Sequence, residues 1–318
     1  MAASDTYPVV LACGFSRFDE LIPWKWLDRP GDDDFHYFKK IRSTLLRAGF
    51  SAFHTHVSWG APLAKRADEL AHEVDSILSL TGAPKVHIIA HSMGGLDARQ
   101  MICALGYAPK VCSLTTIATP HHGSPLADYV TEERSWRDQT LRRLQKYFEL
   151  THKDLRGFRD MTLEACDSRN NRFAPLEAEC GVHYRTWAGV CEFWPMFAPL
   201  KVGYLLLRFQ FGEPRNDGLV PLASAKWRDE FFQGLVPWDH FNEVGWWTPD
   251  RFLGGDPVAL SFEKTVRRFY LRIAEELEPL QSTAPCRSRL WSASTCCQGI
   301  SPYRSNDNPP GPGNVNLI

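Results

Sequence analysis

Residues 86–96 read V-H-I-I-A-H-S-M-G-G-L, and the fold is decided here. Val86 to Ala90 has the character of a buried strand. Ala90-His91-Ser92-Met93-Gly94 is a tight turn, and residues 93–105 carry a helical pattern. Strand, sharp turn and helix around a central serine form the context of a nucleophile elbow, where strained backbone lifts the hydroxyl clear of the sheet edge. Strand and helix approach each other closely there, so the positions two before and two after the serine must be small. Ala90 and Gly94 are small. The helix N-terminus behind Ser92 favours negative charge developing beside it. A bare small-Ser-small match is weak; its flanking elements give it meaning.

Working outward, residues 9–13 form a short apolar run that ends at Gly14, as a buried strand entering a loop would. A helical pattern covers 35–48, a strand pattern 50–57, and an amphipathic helix 63–80, with Leu70, Val74, Ile77 and Leu80 on one stripe. Strands follow at 111–118 and 182–190, and a terminal helix at 262–277. This alternation predicts an α/β fold, a mostly parallel sheet with helices on both faces. Residues 124–180 break the rhythm and read as a helical insertion over one end of the sheet. The expected organisation is a catalytic domain over 1–278 and a Pro-, Ser- and Asn-rich tail over 279–318, too poor in apolar surface to offset its ordering entropy.

A serine hydroxyl is a poor nucleophile near neutral pH and needs a base. After an elbow the partners come in the order acid, then histidine. His121 and His122 follow the next strand too early, though they could wall a pocket. His152 falls in the insertion, and His183 begins a strand. His240 stands in Trp238-Asp239-His240-Phe241, before the last helix, where the base belongs. Asp217, in the turn Asn216-Asp217-Gly218, is the acid expected. Asp239 competes, but adjacent residues point apart. The oxyanion requires two backbone N–H groups. Met93 supplies one, and Phe15, in the loop after the first strand, is the candidate for the other.

These segments resemble the bacterial true lipases, the secreted triacylglycerol lipases of Pseudomonas and Burkholderia type. The likeness runs through 85–99 (K-V-H-I-I-A-H-S-M-G-G-L-D-A-R), 114–127 (L-T-T-I-A-T-P-H-H-G-S-P-L-A), 216–221 (N-D-G-L-V-P) and 239–244 (D-H-F-N-E-V). With the passage 161–189 it covers most of residues 8–275, in register and in order. The resemblance implies an α/β-hydrolase fold and an acyl-enzyme mechanism. It makes Ser92 the nucleophile, His240 the base and Asp217 the acid, with Phe15 and Met93 at the oxyanion. It also implies a mobile lid within 124–180. Three features depart from the family: Cys13-Gly14 stands where it has His-Gly, Asn242 stands where it has a calcium-binding Asp, and no export segment is visible. Residues 193–212 contain no carboxylate, and calcium needs several hard anionic oxygens. The expectation is therefore no cofactor and no structural calcium.

The bulk numbers agree with a globular enzyme on a weakly polar substrate. The 318 residues include 36 basic and 37 acidic side chains, for a formal net charge of -1. No global field recruits nucleic acid. No basic and apolar leader precedes the first strand, and the most apolar stretch, 193–211, is interrupted by Pro195, Pro199, Lys201 and Arg208, so no membrane span is expected. That stretch, with Phe193, Trp194, Met196, Phe197 and Leu205 to Leu207, reads equally as core, as an acyl groove or as a lipid-docking face. Cys166, Cys180 and Cys191 permit a disulfide without implying one. The expected activity is a lipase acting on acylglycerol or other lipid esters. The alternatives are a short-chain esterase, an acyltransferase on the same triad, and a non-catalytic lipid-binding protein.

Overall fold

The computed structural model describes residues 6–15, 32–131, 156–246 and 257–282. The elements along the chain are β1 (Val9–Ala12), α1 (Ile41–Arg47), β2 (Ala52–His54), α2 (Leu63–Thr81), β3 (Val86–His91), α3 (Met93–Ala104), β4 (Val111–Ile117) and α4 (Pro125–Thr131). They continue with α5 (Leu163–Glu179), β5 (His183–Gly189), α6 (Leu200–Leu205), α7 (Leu222–Ala225), β6 (Phe232–Val236), α8 (Pro257–Leu277) and α9 (Pro279–Ser282). The six strands form one sheet in the order β2-β1-β3-β4-β5-β6, and every neighbouring pair is parallel. Each residue of β1, β3 and β4 is buried, so both faces of the centre are covered. Helices α2 and α3 pack on each other, as do α1 and α8.

Most of the sequence pattern reappears with shorter ends. The first helical pattern, 35–48, condenses to Ile41–Arg47, because Lys40 before it takes a left-handed φ of 58°. In α2, Leu70, Val74 and Ile77 are buried, whereas Leu80 is 76% exposed. Gly82, with a left-handed φ of 68°, ends that helix. Strand β6 and helix α7 were not anticipated. Phe232–Val236 alternates between half-buried and exposed positions around Gly234, which mutes its strand signature.

The insertion contributes α4, a 3₁₀ segment Arg156–Met161, and α5. Residues 132–155, with His152 among them, lie outside the described residues, as does the tail from 283 onward. Residues Pro279–Ser282 are helical. The described residues belong to the unit Met1–Ala284, and the second unit, Pro285–Ile318, falls wholly outside them. Cys166, Cys180 and Cys191 are free thiols. Among the described residues no helix is long and apolar enough to cross a membrane.

Candidate active site

Ser92 sits between β3 and α3 at φ 56°, ψ −133°, a region non-glycine residues seldom enter. Its own backbone bonds hold it there. Its N–H donates to the Ile117 carbonyl at 3.0 Å, and its carbonyl accepts the Thr119 hydroxyl at 2.8 Å. Close packing dictates the glycines around it. A Cβ on Gly94 would stand 2.6 Å from the Ala12 and Cys13 carbonyl oxygens, and one on Gly14 would stand 2.6 Å from the Ser92 Cβ.

The structure brings Ser92, His240 and Asp217 together at the carboxyl ends of the strands, the edge where such sheets carry ligands. The Ser92 hydroxyl donates to His240 Nε2 at 2.9 Å, and His240 Nδ1–H donates to Asp217 Oδ2 at 2.7 Å. The other Asp217 oxygen accepts the Leu219 and Val220 N–H groups at 2.8 and 2.7 Å, so its own turn immobilises the acid. All three residues are buried. Asp239, the competing acid, faces away. Its carboxylate accepts the N–H groups of Phe197, Phe241 and Asn242 at 2.8, 3.0 and 2.9 Å.

Three residues that support this relay were not singled out from the sequence. Arg66, fully buried on α2, forms a two-pronged ion pair with Asp97 and donates from Nη2 to the Cys13 and Gly14 carbonyls, both at 3.1 Å. It therefore clamps the loop that carries Phe15. Burial pushes the Asp97 carboxyl up to about 6, with Arg66 opposing. Behind the triad, the Tyr37 hydroxyl donates to His91 Nδ1 at 2.7 Å, and His91 Nε2–H donates to Glu243 Oε2 at 2.9 Å. Burial, then the charge of His240, holds His91 well below the usual imidazole range. Burial, then Asp217 and Asp239, holds Glu243 well above the carboxylate range. Glu243 Oε2 lies 3.6 Å from His240 Nδ1. Being farther away and disinclined to ionise, Glu243 leaves Asp217 as the partner of His240. The arginine carried a sequence signal, a charge at Arg66 on the stripe of Leu63, Ala67 and Leu70. Tyr37 carried none.

Ser92 and His240 open into an apolar cleft of about 170 Å³, walled by Phe15, Leu126, Phe158, Met161, Leu219 and Phe241. The Phe15 ring packs on Phe158 at 4.4 Å between centroids. His121 and His122 do not reach this wall. His121 is buried against Trp227 at 4.0 Å and bonded to Thr116 and Arg99, and His122 Nε2 donates to the Trp227 carbonyl at 2.8 Å. Burial, and then the Arg99 charge, holds His121 well below the usual imidazole range. His183 lies exposed at the start of β5. None of residues 193–211 lines the cleft, so the acyl-groove reading of that stretch does not hold for the cleft described.

The loop around Asn242 does not fit calcium. The Asn242 amide donates to the Trp246 carbonyl at 2.8 Å, and Asp239 spends both oxygens on backbone N–H groups. Among the described residues the one His/carboxylate group of metal-holding size is His91, His240 and Glu243. Its imidazole nitrogens are a poor match for so hard a cation.

Residues 48–156 match the PGAP1-like alpha/beta domain family. The chain is 29% identical over 266 residues to Triacylglycerol lipase 2 of Saccharomyces cerevisiae, spanning 77% of this chain and 74% of that one. It is 30% identical over 244 residues to a triacylglycerol lipase of Vibrio cholerae, spanning 69% and 73%. The crystal structure of Staphylococcus hyicus lipase superposes with a TM-score of 0.61 at 18% identity, over 88% of this chain and 98% of that one, which shows a shared fold.

Proposed function

This chain belongs to the triacylglycerol lipase family of α/β-hydrolases and is a carboxylic ester hydrolase, and from that premise we propose how its residues divide the work and which esters it takes. Ser92 attacks the acyl carbonyl while His240 Nε2 accepts the hydroxyl proton. Asp217 holds the imidazole in the tautomer that can accept it and stabilises the imidazolium. The oxyanion rests on the N–H groups of Phe15 and Met93. His240 then protonates the departing alkoxide, and water repeats the sequence on the acyl-enzyme. The observation that carries this reading is the Ser92–His240–Asp217 relay, with links of 2.9 and 2.7 Å, opening into an apolar cleft. No metal is part of the proposal, since both Asp239 oxygens accept backbone N–H groups and the Asn242 amide is committed to the Trp246 carbonyl.

The substrate we propose is an acylglycerol or a similar lipid ester, supported by the apolar cleft wall and by the relatives' stated activity. A second reading, a short-chain esterase, draws on cleft size. Its volume of about 170 Å³ is below the roughly 300–1,000 Å³ of drug-sized ligand sites, so a long chain would extend beyond it. Initial rates on p-nitrophenyl esters from butyrate to palmitate, for wild type and Ser92→Ala, test both. We expect the variant to lose on the order of 10³-fold or more in kcat. Wild-type rates that peak at long esters favour the lipase, and a peak at butyrate favours the esterase. Activity surviving in Ser92→Ala would overturn the triad assignment.

A further inference from the structure

Helix α6 and the π turn that continues it, Leu206–Gln210, are apolar on two opposite faces. The inner face is Leu200, Gly203, Tyr204 and Leu207. It packs so tightly on the acid turn that a Cβ on Gly203 would stand 2.2 Å from the Gly218 carbonyl oxygen. The outer face is equally apolar. Val202 is 66% exposed, Leu205 40% and Phe209 76%, and Trp194 from the preceding turn is 83% exposed. A helix at a water boundary normally turns a polar face outward, whereas this one also exposes Val202, Leu205 and Phe209. Of the nine exposed large hydrophobics among the described residues, four fall in this short stretch, including both aromatics. The others are scattered singly and need no explanation.

Between the flanking Glu192 and Glu213, the charges of this segment have one sign. Residues 193–212 contain Lys201 and Arg208 and no carboxylate, in a chain whose net charge is -1. The Lys201 ammonium lies 5.1 Å from the Phe193 ring centroid, and the Arg208 guanidinium 5.6 Å from that of Phe209. Exposed Trp and Phe beside basic heads suit a lipid–water interface, where rings sit among the acyl and headgroup atoms and long basic side chains reach the headgroups. A two-fold pairing with a second copy fits less well. It would set the patch against itself, with basic residues facing basic residues and no acid within the segment to pair them. The same segment also touches the cleft wall. Phe197 packs on Phe241, a cleft-wall residue, at 5.2 Å between centroids.

We propose that Trp194, Val202, Leu205 and Phe209, with Lys201 and Arg208, form a docking surface for an anionic phospholipid interface. The inference deepens the ester-hydrolase reading and rests on it, because docking here brings the cleft to the phase that holds lipid esters. Anionic headgroups supply the countercharge, and the exposed rings supply the apolar anchor.

The test is co-sedimentation of the full chain with phosphatidylcholine vesicles, with and without phosphatidylglycerol, alongside hydrolysis of dissolved p-nitrophenyl butyrate. Two double variants serve, Trp194→Ser/Phe209→Ser and Lys201→Gln/Arg208→Gln. Wild type should bind the anionic vesicles about 25-fold more tightly than the neutral ones, at roughly fivefold per basic residue near the surface. The charge variant should lose that preference and the aromatic variant should lose binding to both. All three proteins should cleave the dissolved ester at the same kcat/KM. Equal vesicle binding by wild type and both variants would overturn the proposal. So would a wild-type dimer that the aromatic variant converts to monomer, which would assign the face to a second copy. Vesicle binding as expected without hydrolysis of any ester would instead strike the catalytic reading and leave the docking surface standing.

Discussion

Arg66 occupies a position that the helical pattern gives to an apolar side chain, and its contacts explain why a charge is tolerated. Its guanidinium satisfies Asp97 and donates to the two carbonyls of the loop bearing Phe15. Lysine cannot reproduce that fork. Arg66→Met, which leaves Asp97 buried without its partner, should lower stability by about 3–5 kcal/mol, as measured by urea unfolding. Replacing both partners, Arg66→Met with Asp97→Leu, should restore most of that loss, because no buried charge is left alone. The loop would still lack its donors, so kcat should stay depressed in the double variant with KM little changed. A double variant with wild-type kcat would show that Arg66 serves the fold alone. At this scale the triad was legible because each member lies in a short, distinctive segment and the three follow a known chain order. Arg66, Tyr37 and Glu243 were not, because their partners are set by the fold: Tyr37 meets His91 across 54 residues of chain, and Glu243 meets it across 152.

Helix α6 shows how an element can be misread when both its faces look alike. An apolar run without period reads as core, groove or docking face, and only the packed sheet separates the inner residues from the outer ones. The inner face is stationed against the acid. Glycine in a helix interior costs about 1 kcal/mol relative to alanine, so Gly203→Ala should help an isolated helix. Here the added methyl would meet the Gly218 carbonyl, and overpacking of this kind costs typically about 1–3 kcal/mol. The turn that must yield carries Asp217, and a displacement near 1 Å can cost about 10²-fold in rate. Gly203→Ala is therefore expected to reduce kcat by at least tenfold while Tm changes by only a few degrees; unchanged kcat with a lowered Tm would mean that the helix yields instead of the turn. Strand β6 escaped the sequence reading for a related reason. It is a sheet edge with two of its five residues exposed, and Gly234, at φ 149°, interrupts its alternation.

For the whole molecule, the alternation of strands and helices was enough to predict the parallel sheet, since βαβ connections leave few other arrangements. Its pH response follows from which groups the sheet buries and was not legible beforehand. His87 on β3 is 1% exposed, with Nδ1 bonded to the Ser113 hydroxyl at 2.7 Å. Burial, and then the charge of His183, pushes it down to about 4 from 6.5. Between those values the unfolded chain carries a proton that the folded one does not, so this residue's contribution falls as pH falls. The slope is about 1.4 kcal/mol per pH unit, on the order of 3 kcal/mol across the window. His91 and His121 act in the same direction, whereas Asp97 and Glu243, held above their ordinary values, act in the opposite one. The net pH profile of the protein thus mixes both signs, and a difference against His87→Gln isolates one term. Urea unfolding of both proteins at pH 7 and pH 4.5 should show the variant gaining about 2–3 kcal/mol on wild type at the lower pH. A gap that stays constant with pH would mean that His87 is protonated in the folded state, with solvent reaching β3 between Tyr7 and Ser113.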